Sequence, residues 1–487
     1  MIILYLALFF FIALFLACLF NMLRMKTPAP VAKRVKPAEL SKAAIDKLAR
    51  AIRVKTISYS DTNTIDLERY AEFETLLEND FPLVHKHLEK TRLSTFGLLY
   101  KWPGTNTALK PILLLAHFDV VPPGDDTLWA HPPFSGHVDE SHIWGRGAQD
   151  IKIALISTLE AVETLLAEKF VPERSVYIAT GGDEEIDGRL GAGQIAARLE
   201  EEGVQLEFLI DEGGIIASGM ISQCKKPVAL VGIAEKGYLN LELGIKGKSG
   251  HAAMPPRRTT LGILGAAMAR IEKNPFPARM TGAVRQCFEH IAPYTSFFNR
   301  LIFANFWLFG GLLKFIFAKK PNTDALIRTT QALTMAEGSQ KENVLPESAR
   351  AIVNIRILPG ETIESVAARM KRVVADPAIE IAPQSARIPN DPLTESPTDA
   401  PGFKQIAAAV RSLVDDVVVA PFLVTASTDS KHFRNLTNAI YRFTPVVFTS
   451  KDLEGIHGVD EKISLENYNL CINFFKLLIV NATGSKN

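Results

Sequence analysis

The chain opens on an unbroken apolar block and then settles into an alternation of short apolar runs with longer amphipathic ones. Residues 2–20 carry no charge. As a helix rising 1.5 Å per residue they would reach roughly 29 Å, close to the ~30 Å hydrocarbon core of a bilayer. The first charged side chain is Arg24, after the block, whereas a cleaved signal peptide normally carries positive charge ahead of it. The pattern predicts a single-pass membrane anchor over residues 2–22, with a cleaved signal as the competing reading. Arg24, Lys26, Lys33, Arg34 and Lys36 all follow the block. The positive-inside rule would then put the body in the cytoplasm, and the sequence leaves the side of the membrane open. Pro28, Pro30 and Pro37 suit a stiff linker over residues 23–40. From there, strand-length runs at residues 112–116, 176–180 and 208–210 alternate with helix-period segments at residues 153–168 and 192–199. This alternation predicts an α/β domain around a mainly parallel sheet, in which ligands sit beyond the carboxyl ends of the strands.

Composition narrows the class. A chain of 487 residues that is 47% hydrophobic and 22% charged is globular, and it exceeds what one core organises, so at least two domains are expected. With 54 Lys plus Arg against 53 Asp plus Glu, the net charge of +1 argues against a general nucleic-acid binder. Cys18, Cys224, Cys287 and Cys471 are scattered, which predicts neither a disulfide framework nor a thiolate zinc site.

The candidate chemistry gathers at the strand ends. The first apolar run ends in His117-Phe118-Asp119, where the imidazole could bind a metal and Asp119 could orient it; alone, a structural histidine is the plainer reading. A glycine-punctuated loop, Gly145-Arg146-Gly147-Ala148-Gln149-Asp150, delivers a carboxylate just before a helix, although a helix-entry aspartate would look the same. The second run ends in Gly181-Gly182-Asp183-Glu184-Glu185, three carboxylates that repel one another unless a cation gathers them. The third ends in Asp211-Glu212-Gly213-Gly214, and His457 stands far downstream. Together these residues make a histidine and carboxylate set suited to zinc. One carboxylate of the Glu184-Glu185 pair would stay unligated as a base.

In this order and spacing the residues resemble the co-catalytic zinc peptidases that include glutamate carboxypeptidase, aminoacylase, acetylornithine deacetylase and carboxypeptidase S, and within them the carboxypeptidase S and N-fatty-acyl-amino-acid hydrolase branch. The resemblance implies two Zn2+ per chain, with His117, Asp150, Glu185, Asp211 and His457 as ligands and Asp150 bridging the ions. It implies that Asp119 orients His117 and that Glu184 is the general base. The family often has a cis peptide after the bridging aspartate; Ile151 is bulky for that position, and the isomer is left open. The resemblance also implies a catalytic domain over residues 41–236 and 387–482, and an inserted βαββαβ domain at residues 237–386 used for closure and often for homodimerisation. There Gly247-Lys248-Ser249-Gly250-His251-Ala252 matches the family's motif, so that His251 would stabilise the oxyanion, in its own or a neighbouring subunit's site. Asn343 and Arg356 would bind the substrate carboxylate. Against these stand a surface histidine and a solvated ion pair as the ordinary readings.

Residues 301–313 are almost wholly apolar but too short to span a bilayer. They read as a buried interface helix, a membrane-touching surface or the wall of an acyl-chain pocket. The expectation is a membrane-anchored zinc amidohydrolase acting next to a free carboxylate, on N-acyl amino acids or the C-terminus of short peptides. A non-catalytic binding protein on a degenerate scaffold and a hydrolase using one metal or a metal other than zinc are the alternatives.

Overall fold

The computed structural model describes residues 1–25, 34–384 and 388–484. The N-terminal block forms one helix, α1 (Ile2–Leu23), long and apolar enough to cross a membrane, a property that signal sequences share. Of the expected linker, residues 26–33 lie outside the described residues. Residues 34–40 run along the body, where Arg34 pairs with Asp415 at 2.9 Å and the Ala38 amide donates to Asn473.

The body is built on a ten-stranded sheet. Its edge is an antiparallel pair, β1 (Glu89–Ser94) and β2 (Gly97–Trp102), and its centre is β3 (Ile112–His117), β4 (Val176–Gly181) and β5 (Phe208–Asp211), with β4 and β5 pairing parallel to β3 on either side. The central strands read as continuous apolar runs because both of their faces are covered. Ile112, Leu114 and Ala116 enter a core shared with α2 (Lys152–Ala167), whereas Leu113 and Leu115 enter a second core shared with α3 (Ala192–Glu201). Parallel pairing sets Ala116 opposite Thr180 and Leu114 opposite Ile210, so the carboxyl ends of the three strands emerge together. That shared edge carries the candidate chemistry.

After β6 (Val228–Glu235) the chain passes into a separate four-stranded antiparallel sheet. Its elements in order are β7 (Gly237–Lys246), α4 (Thr260–Lys273), and then, beyond a helical excursion, two strands, a helix and a last strand. The excursion returns to the large sheet. In it α5 (Gly282–Ile291) packs Cys287 and Ile291 against Val418 and Ala420. Two short apolar helices follow, α6 (Phe297–Phe303) and α7 (Phe306–Phe317), meeting at 107°. Residues 301–313 therefore do not form one helix buried within this chain: Trp307, Leu308 and Leu312 are exposed. The small sheet is completed by β8 (Thr330–Glu337), β9 (Ser348–Ile357), α8 (Ile363–Val374) and β10 (Glu380–Pro383), in the order β8-β9-β7-β10. Its core is its own, with Leu239, Leu241, Leu264, Val353 and Met370 packed together. Finally β11 (Val418–Val424) joins β6, and β12 (Ile440–Arg442) joins β5, both in parallel. The chain thus crosses between the two sheets four times, near Lys236, Met280, Arg328 and Asn390.

Candidate active site

His117 ends β3 and is 2% exposed, so its ring must find polar partners. Its Nδ1 donates to the Asp119 backbone carbonyl at 3.1 Å and lies 3.3 Å from the Asp119 carboxylate. This fixes the tautomer and turns Nε2 outward. Asp119, fully buried, also accepts from the Glu184 and Glu185 amides at 3.1 and 3.2 Å. One carboxylate therefore registers the loop after β3 against the loop after β4.

Asp150 stands between two imidazoles. Its Oδ1 is 3.2 Å from His117 Nε2, and its Oδ2 is 3.0 Å from His457 Nε2. His457 adopts a left-handed backbone, φ 58°, which aims its ring back across the site to within 3.3 Å of Glu185 Oε1. The Asp150-Ile151 peptide is cis. Ligand-type atoms of His117, Asp150 and Glu185 lie within 4.8 Å of one another, and so do those of His117, Glu184 and Glu212. The cluster opens on a cavity of about 500 Å3 whose lining includes Asp150, Glu184, Glu185, Glu212, His457 and Arg356.

Asp211 does not join the cluster. Its Oδ1 accepts from the Glu212 amide at 2.9 Å and its Oδ2 from the Ser430 amide at 2.9 Å, so both oxygens are held by neighbouring backbone. The next residue takes its place, with Glu212 Oε1 3.4 Å from His117 Nε2. Asp183 turns away too, accepting from the Leu190 and Gly191 amides at 2.7 and 2.8 Å. On the small sheet, Arg356 of β9 reaches the cavity with its guanidinium 4.8 Å from the centre of the Tyr238 ring. His251 and Asn343 are brought together by the pairing of His251 with Val344, but both are exposed and neither lines the cavity of this chain.

Electrostatics show what the cluster lacks. Burial, reinforced by the charge of Glu212, pushes the Glu184 carboxyl well above its ordinary range, and burial raises Glu185 and takes Glu212 to about 7. Burial opposes charge on His117, yet the Glu212 charge and hydrogen bonds to Asp119, Asp150 and Glu212 hold its pKa well above normal. Hydrogen bonds to Asp150 and Glu185 lift His457 to about 10. The acids are short of positive charge and the imidazoles serve as the nearest cations. The buried Glu185 Oε1 atom has only the His457 ring, 3.3 Å away, to face it. Such a set fits a pair of divalent ions.

Sequence reasoning missed one supporting residue. Glu461, fully buried, accepts from Arg146 Nη1 at 2.7 Å and from the Gly147, Gln149 and Asp150 amides at 3.0, 2.7 and 3.1 Å. It holds the whole glycine-punctuated loop that presents Asp150. In the sequence it is the second acid of Asp460-Glu461, indistinguishable from a solvated loop pair. Glu212 had a signal in the Gly213-Gly214 pair that follows it, where the chain leaves β5 and Gly213 takes φ 122°.

The chain is similar to proteins of known family and fold. The sequence pattern of Peptidase family M20/M25/M40 matches residues 113–481. The chain is 38% identical over 439 residues to the probable carboxypeptidase S-like 2 of Dictyostelium discoideum, covering 89% of this chain and 84% of that one. It is 39% identical over 458 residues to N-fatty-acyl-amino acid synthase/hydrolase PM20D1 of Homo sapiens, covering 92% and 90%. Among solved structures, the M20 family metallo-carboxypeptidase Sso-CP2 of Sulfolobus solfataricus superposes with a TM-score of 0.66 at 17% identity, covering 90% of this chain and 99% of that one, a likeness of fold.

Proposed function

The chain belongs to peptidase family M20/M25/M40 and is an amide-hydrolysing enzyme of the metallopeptidase and amidohydrolase kind; from that membership we propose that it is a two-zinc hydrolase cleaving the amide bond next to a free carboxylate, in N-acyl amino acids or at the C-terminus of short peptides. The observation that carries the reading is Asp150, which offers one oxygen to each imidazole. His117, Asp150 and Glu212 would hold one ion, and Asp150, Glu185 and His457 the other. Glu212 would take the place of Asp211 in this set, since each Asp211 oxygen already accepts a backbone amide, from Glu212 and from Ser430. When bound, the ions supply Lewis-acid polarisation of the amide carbonyl and lower the pKa of the attacking water.

The protein's own groups do the rest. Asp119 orients His117 and, through the Glu184 amide, sets where the Glu184 carboxylate can lie. Glu184, buried and with its pKa raised, takes a proton from the water and delivers it to the departing nitrogen. Arg356 pairs with the substrate carboxylate through its planar fork. His251 and Asn343, which lie away from this cavity, would serve the site of a neighbouring subunit in a homodimer. The α1 helix, retained, would be a single-pass anchor. Screening the purified, zinc-loaded enzyme against N-acyl amino acids, dipeptides and their C-terminal amides tests the proposal. Turnover of the free acids alone is expected; equal turnover of amides, or full activity with one ion per chain, would overturn it.

A further inference from the structure

The α6–α7 pair presents an apolar face that nothing among the described residues covers. Phe298, Trp307 and Phe315 are 73%, 64% and 63% exposed, and Phe297, Leu312 and Ile316 extend the same surface. At 1.5 Å per residue the two helices measure roughly 10 and 18 Å, so neither crosses a ~30 Å core.

The pair is built onto the end of α1. Cys18 and Met22 are buried although most of the helix before them is exposed. The contact is made by Asn305, fully buried at the corner between α6 and α7. Its Nδ2 donates to the Cys18 carbonyl at 3.0 Å and the Leu301 carbonyl at 2.8 Å, and its Oδ1 accepts from Asn21 Nδ2 at 2.9 Å and Trp307 Nε1 at 3.2 Å. Every polar site of that amide is used, as a group enclosed in apolar surroundings requires. Residues 296–320 contain no acid, and Arg300, Lys314, Lys319 and Lys320 lie in or just after the apolar helices, with Arg24 ending α1.

We propose that α6 and α7 form a shallow membrane-seated platform that, locked to α1 through Asn305, lays the catalytic body against a phospholipid bilayer. Exposed aromatics with basic neighbours and short length are the marks of an interfacial element, not of a spanning one. A second copy is the less suitable occupant, because a two-fold contact through this face would set the same all-basic residues against themselves. The platform is independent of the hydrolytic reading, and its test does not use activity.

Trp307 is a built-in probe, since of the other three tryptophans Trp102 and Trp129 are buried and Trp144 is half-buried in the catalytic body. Full-length protein is reconstituted in vesicles of phosphatidylcholine and phosphatidylglycerol, with the phosphatidylcholine acyl chains either brominated or plain. Brominated lipid should quench a share of the tryptophan emission, and Trp307→Phe should remove that share. Adding Phe315→Trp to Trp307→Phe should restore it. Quenching that is the same in Trp307→Phe and unchanged by Phe315→Trp would overturn the proposal, as would particles holding two copies with Trp307 shielded from the lipid.

Discussion

Replacing Glu461 by Gln keeps the shape of the side chain and removes one charge, and the surroundings make that change severe. All four partners of the carboxylate are donors: Arg146 Nη1 and the Gly147 amide on Oε2, and the Gln149 and Asp150 amides on Oε1. Whichever way the new amide is turned, its NH2 faces two N–H groups, so two bonds to a charged acceptor are lost, each worth about 1.5–3 kcal/mol. The Arg146 guanidinium, 1% exposed, is left without its carboxylate. Breaking a buried pair from one side costs about 3–5 kcal/mol, a large part of the ~5–15 kcal/mol that keeps a protein folded. Burial pushes the Glu461 carboxyl up from its ordinary range, with Arg146 acting against it. A protonated group would still aim its O–H at one of the four donors, which is the argument for a carboxylate here. Urea unfolding of metal-free protein in detergent should show this loss for Glu461→Gln, with weakened metal binding because the Asp150 amide is released. Glu202→Gln is the control, since Glu202 pairs with Arg198 on an exposed helix face and should cost under about 1 kcal/mol. Equal shifts for the two variants would refute the reasoning.

Glu184→Gln should keep metal content and fold while lowering turnover roughly 10²-fold or more; full activity would remove Glu184 from the mechanism. Glu212→Ala should reduce the zinc bound at saturation, measured by elemental analysis, whereas Asp211→Asn should leave the stoichiometry at two and cost about 1–3 kcal/mol through the Ser430 loop; the opposite pattern would return the ligand role to Asp211. Arg356→Lys should lower kcat/KM on free acids far more than any residual rate on the corresponding amides, and equal losses would make the arginine structural. Lys236, 1% exposed, has its pKa lowered to about 7 by burial and then by the Arg356 charge. The unfolded chain binds the extra proton between about pH 7 and 10.4, so stability should rise with pH across that window, and Lys236→Met should flatten the rise in Tm.

The parts of the fold that could be read beforehand are those in which local pattern and burial say the same thing. The run before His117 is apolar on every residue because β3 is covered on both faces, and a run of that kind can end only at a sheet edge. The same grammar pointed to Glu184 and Glu185, and the glycine-punctuated loop before α2 to Asp150. It could not choose between Asp211 and Glu212, because that depends on where the turn begins and on Ser430, two hundred residues away, offering its amide. It could not find Glu461, whose meaning lies in four donors on a distant loop. The α6–α7 stretch was visible but ambiguous, since a buried helix and a lipid-facing one have the same composition. His251 and Asn343 were legible only as separate motifs; the pairing of His251 with Val344 brings them together, and nothing in one chain's sequence says whose cavity they face.

An inserted sheet joined to its host by two strands can swing like a door on one hinge. Here the excursion through α5 adds two further junctions, so the small sheet is stitched to the large one at four separate points. A rotation that opens one junction must stretch another, and the motion left over is a short slide of packed surfaces. Arg356 rides on the sliding part and the His117, Asp150 and His457 cluster on the fixed part. On the proposed role of Arg356, the travel of such a slide would bound the length of substrate it can meet. Excising α5 through α7 and joining its ends would convert the slide into a swing, and selectivity for size should loosen before the chemistry does.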